Sequence, residues 1–173
     1  KLRNTNTNWF KVLFRTAQSH SHNLSIRGGS EEMTYYASVN YQEKNGILLS
    51  NKYSNAGILM KLDYRPIKNL ILALDINANI RKSRDHASAI DPFKYAVFAN
   101  RYERPYDENG NYAYYKKMTG NSSRRNYNIL NELENSYTDQ HTSGITVNAN
   151  LKFNFTNWLN ANAIISYTNS NAE

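Results

Sequence analysis

The chain has 173 residues, a mass of 20.0 kDa and a net charge of +7. Without cysteine it has no disulfides, no cysteine-ligated zinc and no thiol catalysis, and its longest strongly apolar run, 70–74, is far shorter than the about 20 residues of a spanning helix. The positive charge is dispersed, since 81–142 holds ten Lys and Arg against eight Asp and Glu, so the chain is predicted to bind no nucleic acid.

Alternation of period two predicts six β-strands, each of them apolar on one face only. In chain order they are 22–28, 33–42, 56–64, 70–80, 143–153 and 159–167. The connections alternate in length: those at 28–32, 65–69 and 156–157 are short, and those at 42–53 and 81–142 are long. This alternation is typical of an antiparallel up-and-down barrel with one end of tight turns and one elaborated end.

The connection 81–142 is predicted to contain two short helical segments. The first lies within 90–100, where Asp91 is a suitable N-cap, Pro92 takes the first helical position, and Phe93, Val97 and Phe98 share one side. A second helical turn is predicted near 128–135.

Two architectures fit six one-sided strands. A soluble barrel or sandwich would bury the apolar face, whereas a transmembrane barrel turns it toward lipid. The polar faces carry few charges and many small amides and hydroxyls, which favours a membrane barrel with a hydrated lumen. The side chains predicted to face that lumen include Asn40, Asp75, Asn77, Asn148 and Asn150.

The runner-up is a soluble or cell-surface β-rich module that binds carbohydrate or protein. If the membrane barrel is correct, six strands are too few, because such barrels begin at about eight and an open edge in lipid leaves backbone groups unsatisfied. Residues 1–173 are therefore predicted to be an interior barrel segment of a longer chain.

Three stretches, in this order, carry a family resemblance. The first comprises Asn8-Trp9-Phe10, FRTA at 14–17 and HNLSIRGGS at 22–30; the second is TYYASVNY at 34–41 with NGIL at 45–48; the third is DPF at 91–93 with ANRYERPYDENG at 99–110. Together they resemble the barrel of SusC/RagA-type TonB-dependent outer-membrane transporters of Bacteroidetes. Asn8 stands where Asp often precedes the family's tryptophan.

The resemblance implies a 22-stranded barrel in outer-membrane lipid, filled by an N-terminal plug that is absent from these residues. It implies energy from the TonB–ExbB–ExbD system, a SusD-like surface lipoprotein as partner, and import of an oligosaccharide or peptide. The short turns would then be periplasmic, and 42–53 and 81–142 extracellular.

The long loop supplies the candidate contact residues, because it holds eight of the 14 tyrosines. A tyrosine ring can stack on a sugar or pack on a protein, while Arg and Glu add charge-assisted hydrogen bonds. The candidates for ligand or partner contact are Tyr102, Glu103, Arg104, Tyr106, Tyr112 and Tyr114. The competing interpretation is that these residues hold the loop's own fold.

Catalysis, metals and cofactors are not predicted. His20 and His22 lack a third ligand, and 107–111 resembles only part of a calcium loop, so a turn at Asn109-Gly110 is the better interpretation. No Gly-x-Ser-x-Gly occurs and no nucleophile–base–acid set is evident. The chain is therefore predicted not to be an enzyme.

Overall fold

The computed structural model describes residues 4–119 and 123–173, with the backbone only for 117–119 and 123–125. Its main feature is a six-stranded antiparallel sheet in the order β1-β2-β3-β4-β7-β8. The strands of this sheet are β1 Gln18–Gly29, β2 Met33–Asn45, β3 Lys52–Ile67, β4 Leu70–His86, β7 Tyr137–Asn154 and β8 Asn160–Ala172. A separate two-stranded sheet pairs β5 Tyr115–Thr119 with β6 Ser123–Tyr127.

The six predicted strands are confirmed, but the observed ones are longer. β4 continues to His86 and β7 already begins at Tyr137, so the connection predicted at 81–142 is reduced to 87–136. The strands lengthen because backbone pairing extends beyond the alternating apolar residues on which the prediction depended. The β5–β6 pair within the connection was not predicted.

Three short helices accompany the sheets: α1 Trp9–Leu13, α2 Pro92–Phe98 and α3 Ile129–Asn135. The predicted cap of α2 is confirmed, since Asp91 accepts a hydrogen bond from the Lys94 amide at 2.8 Å. Helix α3 matches the second predicted segment, whereas α1 was not predicted. Phe93, Val97 and Phe98 are exposed, and the buried positions of α2 are Pro92 and Ala96.

Among the described residues, no helix combines the length and the apolar character needed to cross a membrane.

The chain divides into two compact units. The sheet unit comprises 19–44, 53–83 and 140–173, and the loop unit comprises the described residues up to Gln18 together with 45–52 and 84–139. The buried apolar core lies in the loop unit and consists of Trp9, Leu13, Ile90, Ala96, Ile129 and Leu133. Three segments distant in sequence therefore fold around one small core.

The sheet unit keeps apolar and polar residues on opposite faces. In the β7–β8 register Val147 faces Tyr167 and Leu151 faces Ala163, while the next rungs pair polar residues such as Thr146 with Thr168. Across four strands, one groove on the apolar side is lined by Leu62, Tyr64, Leu72, Leu74, Ala149, Leu151, Ala163 and Ile165, among others. The apolar faces predicted for separate strands thus combine into one surface.

Glycines make room for asparagines on the polar face. A Cβ built on Gly57 would lie 2.4 Å from Asn40 Oδ1, and one on Gly144 would lie 3.2 Å from Asn79 Oδ1. A larger residue at Gly57 would displace the Asn40 carboxamide. At these two positions, an asparagine side chain of the neighbouring strand therefore occupies the space over a glycine.

Candidate ligand-binding site

Two of the six predicted contact residues, Tyr106 and Tyr112, occur in a finger of the loop unit formed by residues 105–113. Tyr106 and Tyr112 form a β-bridge, and their rings stack with centroids 5.6 Å apart. Between them the Asp107 carboxylate accepts backbone N–H bonds from Asn109 at 2.8 Å and Asn111 at 2.9 Å. The finger is therefore a compact turn closed by an aromatic pair.

The turn predicted at Asn109-Gly110 is present, and Gly110 has a φ of +84° that favours glycine. The backbone hydrogen bond from Asn111 is the main cause that lowers the pKa of Asp107. The Asp107 carboxylate, a ligand that a calcium loop would require, thus accepts hydrogen bonds from backbone amides. The described residues contain no group of three or more His, Cys, Asp or Glu suited to a metal ion.

Side chains of α3 and its cap hold the finger in place. The Tyr112 hydroxyl donates a hydrogen bond to the Glu134 carboxylate, and this bond is the largest cause that raises the pKa of Tyr112 to about 12. The buried Asn128 amide donates to the carbonyls of Pro105 at 2.8 Å and Ala113 at 2.7 Å. Three hydrogen bonds therefore join the finger to α3 and its N-cap residue.

A cavity of about 300 Å³ lies within the loop unit beside this finger. Three tyrosines, three leucines and four polar residues line it: Tyr106, Tyr112, Tyr137, Leu49, Leu130, Leu133, Ser50, Lys52, Arg84 and Glu134. Aromatic walls with a few polar groups are typical of small-ligand sites. The cavity is the candidate site.

Arg84 has a defined position in the cavity wall. Its guanidinium makes two hydrogen bonds of 2.7 Å to the Asp139 carboxylate and lies 4.0 Å from the centre of the Tyr137 ring. A two-point ion pair of this kind restrains the guanidinium plane. Arg84 therefore contributes a flat, oriented cation to the wall.

The chain was compared with known protein families and proteins. No family model matches the chain. It is 31% identical over 117 residues to the TonB-dependent receptor SusC of Bacteroides thetaiotaomicron, a match covering 62% of this chain and 11% of the receptor. It is 25% identical over 115 residues to the TonB-dependent receptor P26 of Formosa agariphila, covering 66% and 11%.

Solved structures of the RagAB peptide importer share the fold. The closed-closed state aligns with a TM-score of 0.70 at 20% identity, over 98% of this chain and 20% of that one. The open-open state aligns with a TM-score of 0.69 at 21% identity, over 98% and 19%. The predicted resemblance to SusC/RagA-type transporters is confirmed. The chain spans 11% of the length of the curated relatives.

The predicted contact residues of this SusC/RagA-like chain separate into two groups. Tyr106 and Tyr112 line the cavity, whereas Tyr102, Glu103, Arg104 and Tyr114 do not. Tyr102 and Tyr114 are exposed elsewhere on the loop unit, at 56% and 49%.

Glu103 and Arg104 connect the loop to the N-terminal segment. The Glu103 carbonyl accepts a hydrogen bond from the Thr7 hydroxyl at 2.6 Å, and Arg104 Nε donates to the Thr5 hydroxyl at 3.0 Å. The Arg104 amide also donates to the Tyr115 hydroxyl at 2.9 Å. The side-chain bond favours the structural interpretation for Arg104, whereas Glu103 takes part through its backbone.

Sequence reasoning missed several residues of the cavity wall. Leu49 and Ser50 come from the β2–β3 connection, Lys52 is the first residue of β3, and Arg84 and Tyr137 come from strand ends that were assigned to the loop. Arg84 and Asp139 of opposite charge, near the two ends of the predicted loop, were a signal for their pairing. No local pattern indicated the Lys52 segment.

Trp9 is buried in the same core cluster as Leu133, which lines the cavity. Its ring meets Tyr95 edge-on at 5.2 Å, and its indole N–H donates to the Asn100 carbonyl at 3.1 Å. Burial is the main cause that raises the pKa of Tyr95. Trp9, which the sequence offered only as part of a family motif, is therefore a core residue of the loop unit.

Proposed function

We propose that the chain forms part of the barrel wall and extracellular loops of an outer-membrane TonB-dependent importer. The imported nutrient would be an oligosaccharide or a peptide, and the usual partner would be a SusD-like surface lipoprotein. The similarity to two TonB-dependent receptors and the fold shared with a peptide importer support this proposal. The main observation behind the proposal is the length of the apolar series along the strands, called here the apolar band.

The apolar band is shorter than the strands that bear it. On β4 the apolar series runs from Leu70 to Ile80, and the same face continues with Lys82 and Arg84. On β7 it covers Ile145 to Phe153, within a strand of 18 residues. Spans of nine to eleven residues match a tilted strand crossing a bilayer of about 30 Å. The remaining strand would project into water.

Apolar side chains of the sheet are most exposed on its two edge strands. Leu24 is 76% exposed and Ile165 is 72% exposed, on the edge strands β1 and β8. An apolar surface that continues across strands needs a cover, and lipid is the cover that fits its height. Neighbouring strands of a longer barrel, 22 in all, would satisfy the two sheet edges.

The opposite face would line the lumen or touch a plug. Its proposed lumen-facing residues are Asn40, Asp75, Asn77, Asn148 and Asn150. In the same topology the three short turns lie in the periplasm, and the connections 46–51 and 87–136 lie outside the cell. The TonB–ExbB–ExbD system would act through parts of the transporter beyond these residues.

Single-cysteine labelling tests the orientation directly, because residues 1–173 contain no cysteine. In the full-length transporter in cells, with any cysteine elsewhere replaced, Leu72→Cys should resist a charged maleimide, because lipid keeps the reagent away and holds the thiol in its unreactive protonated form. Asn148→Cys, the matched control on the other face, should react with the same reagent without denaturant. Labelling of Leu72→Cys as complete as that of Asn148→Cys would refute the lipid-facing assignment.

The soluble-module alternative has its own test. If residues 1–173 are expressed without detergent, the importer proposal expects aggregation that only the longer chain relieves. A monodisperse monomer with one cooperative unfolding transition would favour the soluble binding module.

A further inference from the structure

Lys52 is one of the two cations in the wall of the candidate cavity, the other being Arg84. Arg84 is engaged with Asp139 through two hydrogen bonds, and Glu134 accepts the Tyr112 hydroxyl. Within the described part of the chain, no salt bridge involves Lys52. The cavity wall therefore presents one exposed ammonium group that can receive an anion.

The surroundings of Lys52 limit the kind of anion. Leu49, Leu130 and Leu133 give the cavity an apolar part, and Tyr106 and Tyr137 add flat rings. A small, fully hydrated inorganic anion would leave these surfaces without contact. A ligand whose charged group is attached to an apolar or ring-shaped body would use both kinds of surface.

The size of the cavity also limits its ligand. A volume of about 300 Å³ lies at the lower end of small-molecule sites. It holds one terminal residue or one sugar ring of a longer substrate.

We propose that this cavity binds a carboxylate-bearing end of the imported substrate, with the carboxylate on Lys52 and the attached apolar face against Tyr106 and the leucines. The inference rests on the proposed import function and adds its ligand chemistry. Two sources supply this chemistry: the carboxyl terminus of a peptide, and a uronic acid unit of an oligosaccharide. Glu134, the acidic residue of the same wall, would disfavour a ligand with a second carboxylate nearby.

The test is calorimetric binding to the full-length transporter with its lipoprotein partner, using two matched pairs of probes. One pair is a leucine-ended tetrapeptide and its C-terminal amide, and the other is a trisaccharide whose only acidic unit is a terminal glucuronate, and the methyl ester of that unit. We expect one acid to bind about tenfold or more tightly than its neutral counterpart, the usual scale of a hydrogen bond to a charged group. The pair that shows the difference identifies the source.

The Lys52→Gln variant should remove this difference by weakening the acid about tenfold and leaving the neutral probe unchanged. Lys94→Gln is the matched control, since Lys94 is exposed on α2 of the same unit and does not line the cavity. Protection of the α3 amides from hydrogen exchange should be equal in both variants, which excludes a folding defect.

Three outcomes would overturn the inference: acid and neutral probes that bind alike, a Lys52→Gln effect equal on both, or no binding of any probe. Uptake in cells separates this failure from that of the proposed function. If neutral nutrients still enter through the wild-type transporter, import stands and only the carboxylate site is wrong. Absence of any TonB-dependent uptake would refute import itself.

Discussion

At the scale of single residues, one hydroxyl couples the finger to α3. Tyr112 stacks on Tyr106 and donates its hydroxyl proton to Glu134. Because ionising the phenol would lose this bond and place two negative charges side by side, the pKa of Tyr112 is raised from 10.0 to about 12. Titration of the Tyr112 phenol therefore reports on this hydrogen bond.

The Tyr112–Glu134 bond predicts a pH dependence of stability. A folded pKa above the unfolded one stabilises the protein fully below pH 10 and loses this effect as the pH rises through 12. The tyrosinate absorbance of wild type minus that of Tyr112→Phe should show a midpoint near 12. In Glu134→Gln the midpoint should return toward 10.0, and a wild-type midpoint already at 10.0 would contradict the bond.

Two other polar side chains of the loop form hydrogen bonds within the loop unit. Arg104 and Asn128 both bond to segments distant in sequence, Thr5 in one case and the finger in the other. Arg, Glu and Tyr in a loop had indicated ligand contact. The same polar groups can instead form the internal hydrogen bonds that a long loop needs.

At the scale of elements, the loop unit depends on short helices that share one core. Helices of five and seven residues are marginal alone, so their stability comes from packing. Leu133 of α3 and Leu13 of α1 lie in the same buried cluster. The same cluster therefore stabilises both helices, although 115 residues separate α1 from α3 in the chain.

Truncation of a core residue in α3 should open the loop unit. Leu133→Ala is expected to destabilise it by about 2–5 kcal/mol, the usual cost of a buried leucine. Phe98→Ala, at a position 79% exposed on α2, should change stability by about 0.5 kcal/mol or less. Hydrogen exchange of residues 129–135 measures both, and equal protection in the two variants would contradict the core assignment.

At the scale of the whole molecule, the two units differ in how they bury apolar surface. The loop unit has an internal core, while the sheet unit displays its apolar residues on one open face. A water-soluble protein would hide such a face within itself. The contrast agrees with the proposal that lipid covers the sheet.

A charge on the apolar face should therefore impair assembly of the full transporter. Leu72→Arg is expected to cost about 2–4 kcal/mol at the bilayer midplane, and the folded band in heat-modifiability gels should weaken. Asn77→Arg on the opposite face is the matched control and should assemble. Unchanged mobility of Leu72→Arg would count against a membrane position for this face.

The sequence by itself determined the elements whose signals are local. Alternation of period two depends on which face of a strand a side chain occupies, and the Asp91 cap depends on residues three apart, so both were predictable. The apolar face shared by the strands was predictable as well, because each strand has its own alternation of apolar and polar residues.

Only the tertiary structure decided which distant residues meet. The contacts of Trp9 with Tyr95, of Arg84 with Asp139, and of Lys52 with the tyrosine-lined cavity join segments with no shared local pattern. They arise because small apolar surfaces in separate connections are buried together, and strand pairing then sets the positions of the residues at the strand ends. Pairing and burial act between segments, so a single segment does not encode them.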